Sequence, residues 1–180
     1  MSGIGRRTGM ALALLALAGC QIAGEAPTAT TQTGANGEDV DFVTNAYQLI
    51  MFDREEGALA TSEAMDPQVR ALAAKMVTDA NQLAAKLGPL AAAEGIRPPD
   101  ILRYSLRIRL GHMRIQNGLD FDRTFVDDQI ASHQEAISMH EMMAGSAGSP
   151  ALRQLAQEAG SIVRGNLRQL QALQLEMMRR

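Results

Sequence analysis

From Asp39 onward apolar residues recur at intervals of three and four, the period of a helix buried along one stripe, and no alternating β-branched run of strand length interrupts them. Start and stop signals divide this stretch into four long helices. The first runs roughly from Val40 to Ala64. The second opens with Asp66 as N-cap and Pro67 at the first helical position, and continues to Glu94 before Gly95 and the Pro98-Pro99 break. The third runs roughly from Asp120 to Ala144 and ends in Gly145-Ser146-Ala147-Gly148. Ser149 and Pro150 open the fourth, which runs to the C-terminus. Each is about 35 to 45 Å long at 1.5 Å per residue. The two short turns force antiparallel hairpins, so the pattern predicts an all-α domain, an antiparallel four-helix bundle over residues 39–180. The segment from Gly95 to Leu119 is left as one long irregular crossover. A faint repeat, Asp66-Pro67 with Arg70, Leu72 and Ala73 beside Ser149-Pro150 with Arg153, Leu155 and Ala156, fits two related hairpins.

The apolar stripes carry polar interruptions. The third helix has a seam of Val126, Ile130, His133, Ile137, His140 and Ala144, which turns two histidines toward the interior. On the first helix Asp53 follows Phe42, Ala46 and Leu49, with Glu56 one turn on. Asp79 borders the Met76, Ala80 and Leu83 face of the second helix, and Asn166 falls within the Leu155, Ala159, Ile162 and Leu173 face of the fourth. Asp53 and Asp79 lie thirteen residues either side of Asp66, so they share a level. His133 and Asn166 share another, being nearly equidistant from Ser149. With both turns at one end of the bundle the two levels differ by about 5 Å, and Glu56 falls level with His140. Such a band is where bundles place metals and cofactors. The competing account is a hydrogen-bonded polar layer that satisfies itself, and the Glu-x-x-His pairs of carboxylate-bridged di-iron bundles are missing from the sequence.

The first nineteen residues change the picture. Arg6 and Arg7 precede an apolar run from Met10 to Ala18, too short to span a bilayer, and Leu17-Ala18-Gly19 leads to the sole cysteine of the chain, Cys20. This resembles the lipobox of bacterial lipoproteins, which implies cleavage before Cys20 and lipidation of its sulfur. An ordinary signal peptide cut nearby is the alternative. The paired arginines also resemble a twin-arginine export signal, although Gly5 precedes them and no Phe follows. Gln21 rather than Asp after the cysteine resembles the sorting pattern that sends lipoproteins to the outer membrane. From Gln21 the chain is Ala, Thr, Gly, Gln and Pro with hardly a charge or large apolar residue, so residues 20–38 read as a lipidated cysteine and flexible tether.

The 180-residue chain has a formal charge of −3, which argues against a general nucleic-acid binder. One Cys excludes an internal disulfide and a Cys-rich metal site. No nucleophile motif, phosphate loop or dinucleotide fingerprint is present, so the expectation is a protein that is not an enzyme and has no cofactor.

From Phe42 to about Leu173 the chain resembles a family of bacterial exported proteins described as outer-membrane proteins, a domain of unknown function with a ferritin-like four-helix bundle. The resemblance rests on Phe42-Val43, Ala46, Glu55 and Leu59-Ala60, then on Pro67, Val69, Met76-Val77, Asp79, Leu83, Leu90-Ala91 and Gly95. It continues through Phe121-Asp122-Arg123, Phe125-Val126 and His133 to Leu152, Leu155-Ala156 and Leu167. The family pattern has a His directly after the Asp of the second helix and another before the Leu of the fourth; Ala80 and Asn166 stand there, and only His133 fits. A metal site built from those histidines would therefore be largely lost.

Two further patterns carry chemistry. Met139, His140, Met142 and Met143 crowd one turn, and thioethers beside imidazole suit Cu(I), although Met also fills apolar gaps. The crossover carries Arg103, Arg107, Arg109 and Arg114 among apolar residues with no acid from Ile101 to Gly118. That face could meet anionic headgroups or an acidic partner, or cover one side of an otherwise acidic bundle. Three functions are therefore expected in order. The first is a lipid-anchored, periplasm-facing binding or envelope-stress accessory module. The second is a transition-metal protein with His133, His140, Asp53, Glu56 and Asp79 as ligands. The third is a module docking on a membrane or envelope protein through the crossover arginines. Nothing in the sequence specifies the oligomeric state.

Overall fold

A computed structural model gives the structure of residues 35–179; Cys20, its leader and nearly all of the tether lie outside the described residues. Five helices follow in order: α1 (Gly37–Glu63), α2 (Pro67–Ala93), α3 (Tyr104–Met113), α4 (Gly118–Ala144) and α5 (Pro150–Arg179). The four long ones form the expected ferritin-like bundle of two hairpins, α1–α2 and α4–α5. None of the described helices is long and apolar enough to cross a membrane.

Local chemistry sets the boundaries. α1 begins ahead of its apolar pattern, within the segment expected to be tether, because Asn36 Oδ1 accepts the Asp39 N–H at 2.8 Å. Asp66 Oδ1 accepts the Gln68 N–H at 2.8 Å with Pro67 at the first position of α2. α2 stops at Gly95, whose φ of 70° lets Ile96 N–H return to the Ala91 carbonyl at 2.8 Å and Gly95 N–H to Ala92 at 3.1 Å.

The crossover is not irregular throughout. Leu106, Leu110 and Met113 recur at helical spacing and are all buried, so α3 forms with that face inward. It lies against α1 and α4. Gln48 on α1 fixes its approach: its amide donates to the Ile101 carbonyl at 2.8 Å and accepts the Arg103 N–H at 2.6 Å.

The two turns lie at opposite ends of the bundle, which corrects the same-end stacking. Asp122, near the start of α4, is fully buried and accepts the N–H groups of Met65 and Asp66, at 2.9 and 2.7 Å, from the α1–α2 turn. Asp39, near the start of α1, accepts the Ser149 N–H at 2.9 Å from the α4–α5 turn. There the carboxylate comes so close that a Cβ on Gly148 would collide with Asp39 Oδ1, so any larger residue would push the clamp aside. Asp39 to Asp66 and Asp122 to Ser149 are both spacings of 27 residues, and each aspartate opens an Asp-x-x-Phe-Val run, at Phe42-Val43 and Phe125-Val126. Arg70 and Arg153 repeat as well, each donating to carbonyls of the turn before it. The faint repeat therefore extends to the interactions that clamp one hairpin onto the other, and α1 runs antiparallel to both α2 and α4.

Replacing Asp122 with Ala strands two enclosed backbone donors, so urea denaturation is expected to show a loss of about 3 kcal/mol. Asp39→Ala is expected to cost about half as much. The clamps are at opposite ends, so the double variant is expected to lose the sum of the two; a strongly sub-additive result would mean the clamps do not act independently.

Candidate functional site

The polar interruptions form one layer that divides the apolar core. On one side pack Phe42, Phe52, Leu87, Leu106 and Leu152 with their neighbours; on the other pack Val69, Met76, Phe125, Val126 and Leu170 with theirs. Between them lie Asp53 and Glu56 of α1, Asp79 of α2, Gln129, Ser132 and His133 of α4, and Asn166 of α5. Counting along the hairpins thus placed Asp53, Asp79, His133 and Asn166 correctly in a shared band. It misplaced Glu56 and His140. Because the turns are at opposite ends, Glu56 meets Gln129, whose amide donates to Glu56 Oε2 at 2.7 Å. His140 lies beyond the layer, inside the apolar cluster, with its ring edge-on to Phe42 at 5.6 Å.

The five candidate ligands do not converge. Among the described residues no group of three or more His, Cys, Asp or Glu side chains is gathered as a metal would require. Asp79 Oδ2 accepts from Lys75 at 2.7 Å and from the Asn166 amide at 2.9 Å, and Lys75 also donates to Asn166 Oδ1 at 2.7 Å. His133 Nδ1 is 3.0 Å from the Gln129 carbonyl. Asp53 Oδ1 and His140 Nδ1 have no hydrogen-bond partner, and both residues line one small cavity of about 30 Å³ walled by residues such as Leu49, Leu87 and Val163. That space has room for about one or two waters.

Burial sets the charge of the layer. The Glu56 carboxyl is pushed up to about 9, first by desolvation and then by the neighbouring Asp128 charge, against the pull of Gln129 and Arg109. Asp53 is raised to about 7 by burial, opposed by the Gln129 amide and Arg109. His133 and His140 are lowered to about 4, both chiefly by burial. At neutral pH Glu56 is therefore protonated and both imidazoles are neutral. A protonated Glu56 and neutral imidazoles can sit between apolar clusters, and the one ion pair among these side chains, Lys75 with Asp79, lies at the partly exposed edge of the layer.

The four crossover arginines are held differently. Arg109 points inward, donating through Nε to Asp128 Oδ1 at 2.9 Å and through Nη2 to the Asp128 carbonyl, with its guanidinium 4.7 Å over the Phe52 ring. Arg103 pairs with Glu135 and Arg114 with Glu55, both acids of the bundle. Arg107 lies over Tyr104 at 5.9 Å. The arginines serve mainly to fasten the crossover to acidic neighbours. Apolar residues face outward beside the exposed Arg107 and Arg114: Ile101, Tyr104, Ile108 and Ile115 are all exposed.

Sequence reading passed over Asp39, Asp122, Gln48, Asp128 and Gln129, all of which hold this arrangement together. For the first two a signal was present in the repeated Asp-x-x-Phe-Val run. The others depend on how the hairpins dock, which no periodicity records.

Residues 24–173 match the family described as Domain of unknown function (DUF4142). The chain belongs to that family. The solved structure titled "Crystal structure of DUF305 fragment from Deinococcus radiodurans" shares the fold of this DUF4142 domain, with a TM-score of 0.70 over 79% of this chain and 98% of that one, at 17% identity. No curated protein matches the chain.

The shifted groups give the DUF4142 domain a definite pH profile. Glu56 and Asp53 have folded values above their unfolded 4.5 and 3.8, so they bind more protons when folded and stability falls as pH rises through the window up to about 9 and about 7. The two histidines, lowered from 6.5 to about 4, bind fewer protons when folded and make stability rise with pH in that interval. The two effects oppose one another below pH 6.5 and only the carboxyls act above it. Chemical denaturation is expected to give a nearly flat profile from pH 4.5 to 6.5 and a decline toward pH 9, at most about 1.4 kcal/mol per pH unit per proton. Glu56→Gln, which mimics the neutral acid, is expected to fold and to remove most of the decline; an unchanged slope would show that Glu56 is not the group responsible.

Proposed function

We propose that this DUF4142 protein is a non-catalytic binding module of the bacterial envelope. Lipidated Cys20 anchors it at the outer membrane, and the tether holds the bundle off the membrane on the periplasmic side. The Leu17-Ala18-Gly19-Cys20 pattern supports the anchor. The observation that carries the non-catalytic reading is the polar layer: Gln129 donates to a protonated Glu56, His133 lies against the Gln129 carbonyl and Asn166 donates to Asp79, an arrangement suited to fixing a fold rather than to working on a substrate. Binding then belongs to the surface. The exposed Ile101, Tyr104, Ile108 and Ile115 of the crossover, with Arg107 among them, supply an apolar contact face there. The role in envelope stress rests on the same reading.

A second reading is favoured by one observation. Asp53 Oδ1 and His140 Nδ1 are unpartnered on a common cavity, so a borderline metal such as zinc or iron(II) could take both with water as further ligands.

The full chain, purified without a His tag and challenged with zinc and iron(II), is expected to retain neither stoichiometrically, and His133→Ala or His140→Ala to alter stability only. Retained metal lost in either variant would displace the first reading in favour of the second. In cells, Cys20→Ser is expected to abolish labelling by a fatty-acid probe and to move the protein from the membrane to the soluble fraction. Undiminished labelling would remove the anchor.

A further inference from the structure

At the end of the bundle where α1 begins and α4 ends, Met139, Met142 and Met143 line one open pocket of about 220 Å³ together with Phe42, Glu38 and Asp41. Packing explains two of the three methionines, since Met139 and Met143 are buried and Met suits irregular gaps. It does not explain Met142, which is 71% exposed and has no gap to fill. The spacing does: residues three and four apart share a helix face, so all three methionines line the same pocket, where the Ser146 hydroxyl also donates to Met143 Sδ at 3.4 Å. His140, between them in sequence, lines the core cavity on the α5 side instead, and so is not part of this pocket.

Three neutral sulfur donors are a poor match for zinc, iron or calcium and a good match for a soft monovalent cation. A thioether holds no proton in water, so such a site binds without displacing one. Glu38 and Asp41 place negative charge at the rim, which raises the local concentration of cations and disfavours anions. We propose that the Met139, Met142 and Met143 pocket is a binding site for Cu(I), with Ag(I) as its redox-silent equivalent. The proposal is independent of the anchoring and of the polar layer.

The full chain carrying Cys20→Ser, so that the thiol does not compete, and labelled with ¹³C at the methionine methyl groups, is titrated with Ag(I). One equivalent is expected to shift the signals of Met139, Met142 and Met143 and to leave those of the exposed Met65 and Met178 in place, while zinc shifts none of them. Equal shifts at Met65 and Met178, or no shift at the trio, would overturn the site. Cu(I) affinity is read anaerobically by competition with a chromogenic Cu(I) chelator. Met142→Leu, a change at an exposed position that the fold tolerates, is expected to weaken it tenfold or more, and Met65→Leu to leave it unchanged. A Met142→Leu protein with undiminished Cu(I) affinity would refute the proposal even if the triple Leu variant failed to fold.

Discussion

Two buried aspartates, each sent from the opening turns of one hairpin to the turn of the other, decide how this chain is assembled. Asp122 holds the amides of Met65 and Asp66, and Asp39 holds that of Ser149. Because each clamp joins the start of one helix to the far end of its neighbour, α1 and α4 must be antiparallel and the two turns must lie at opposite ends. The end of α2 and the start of α4 are then separated by the length of the bundle, about 40 Å for helices of this size. A short loop cannot close that gap. The crossover climbs the α1–α4 side, coils into α3 as it does so, and carries Arg109 to the point where Asp128 and Phe52 receive it.

The polar layer follows from the same docking. An enclosed polar group without a partner costs about 1–3 kcal/mol, so a shift of one helical turn along α1 would set Glu56 and Asp53 against the apolar clusters and leave Gln129 without its acceptor. The layer therefore specifies register more than it adds stability, a role that interior polar groups fill in other helical assemblies. Glu56 is tolerated there because it keeps its proton: burial and Asp128 both disfavour a second negative charge.

The sequence carries the hairpins in full. Asp66-Pro67, Ser149-Pro150 and Gly95 mark ends that the structure reproduces, and the apolar period identifies the buried faces. Counting from a turn also works within a hairpin, which is why Asp53 met Asp79 and His133 met the level of Asn166. It fails between hairpins, because helical periodicity records which face is buried and not which way the neighbouring pair points. Glu56 and His140 were assigned to one level by that missing sign, and the inward turn of Arg109 onto Asp128 could not be read without the docked neighbour. The Asp-x-x-Phe-Val run, 27 residues ahead of each second helix, held the information needed. Its meaning lies in the contact between copies of the repeat, which becomes visible only once the two hairpins are docked.

The last turns of α4 show how finely a helix sorts donors that a sequence lists together. Met139, His140, Met142 and Met143 read as one mixed cluster of thioether and imidazole. A rotation of about 100° per residue divides it. His140 turns toward α5, where a Cβ on Gly160 would lie 3.5 Å from its own and where burial keeps the ring neutral. The thioethers turn to the mouth between α1 and α4, beside acidic residues of the first turn of α1. Two environments that differ in polarity, access and donor softness thus stand one residue apart. Met139 lines both, Met142 stands exposed on the solvent side, and the imidazole on the core side packs against Phe42.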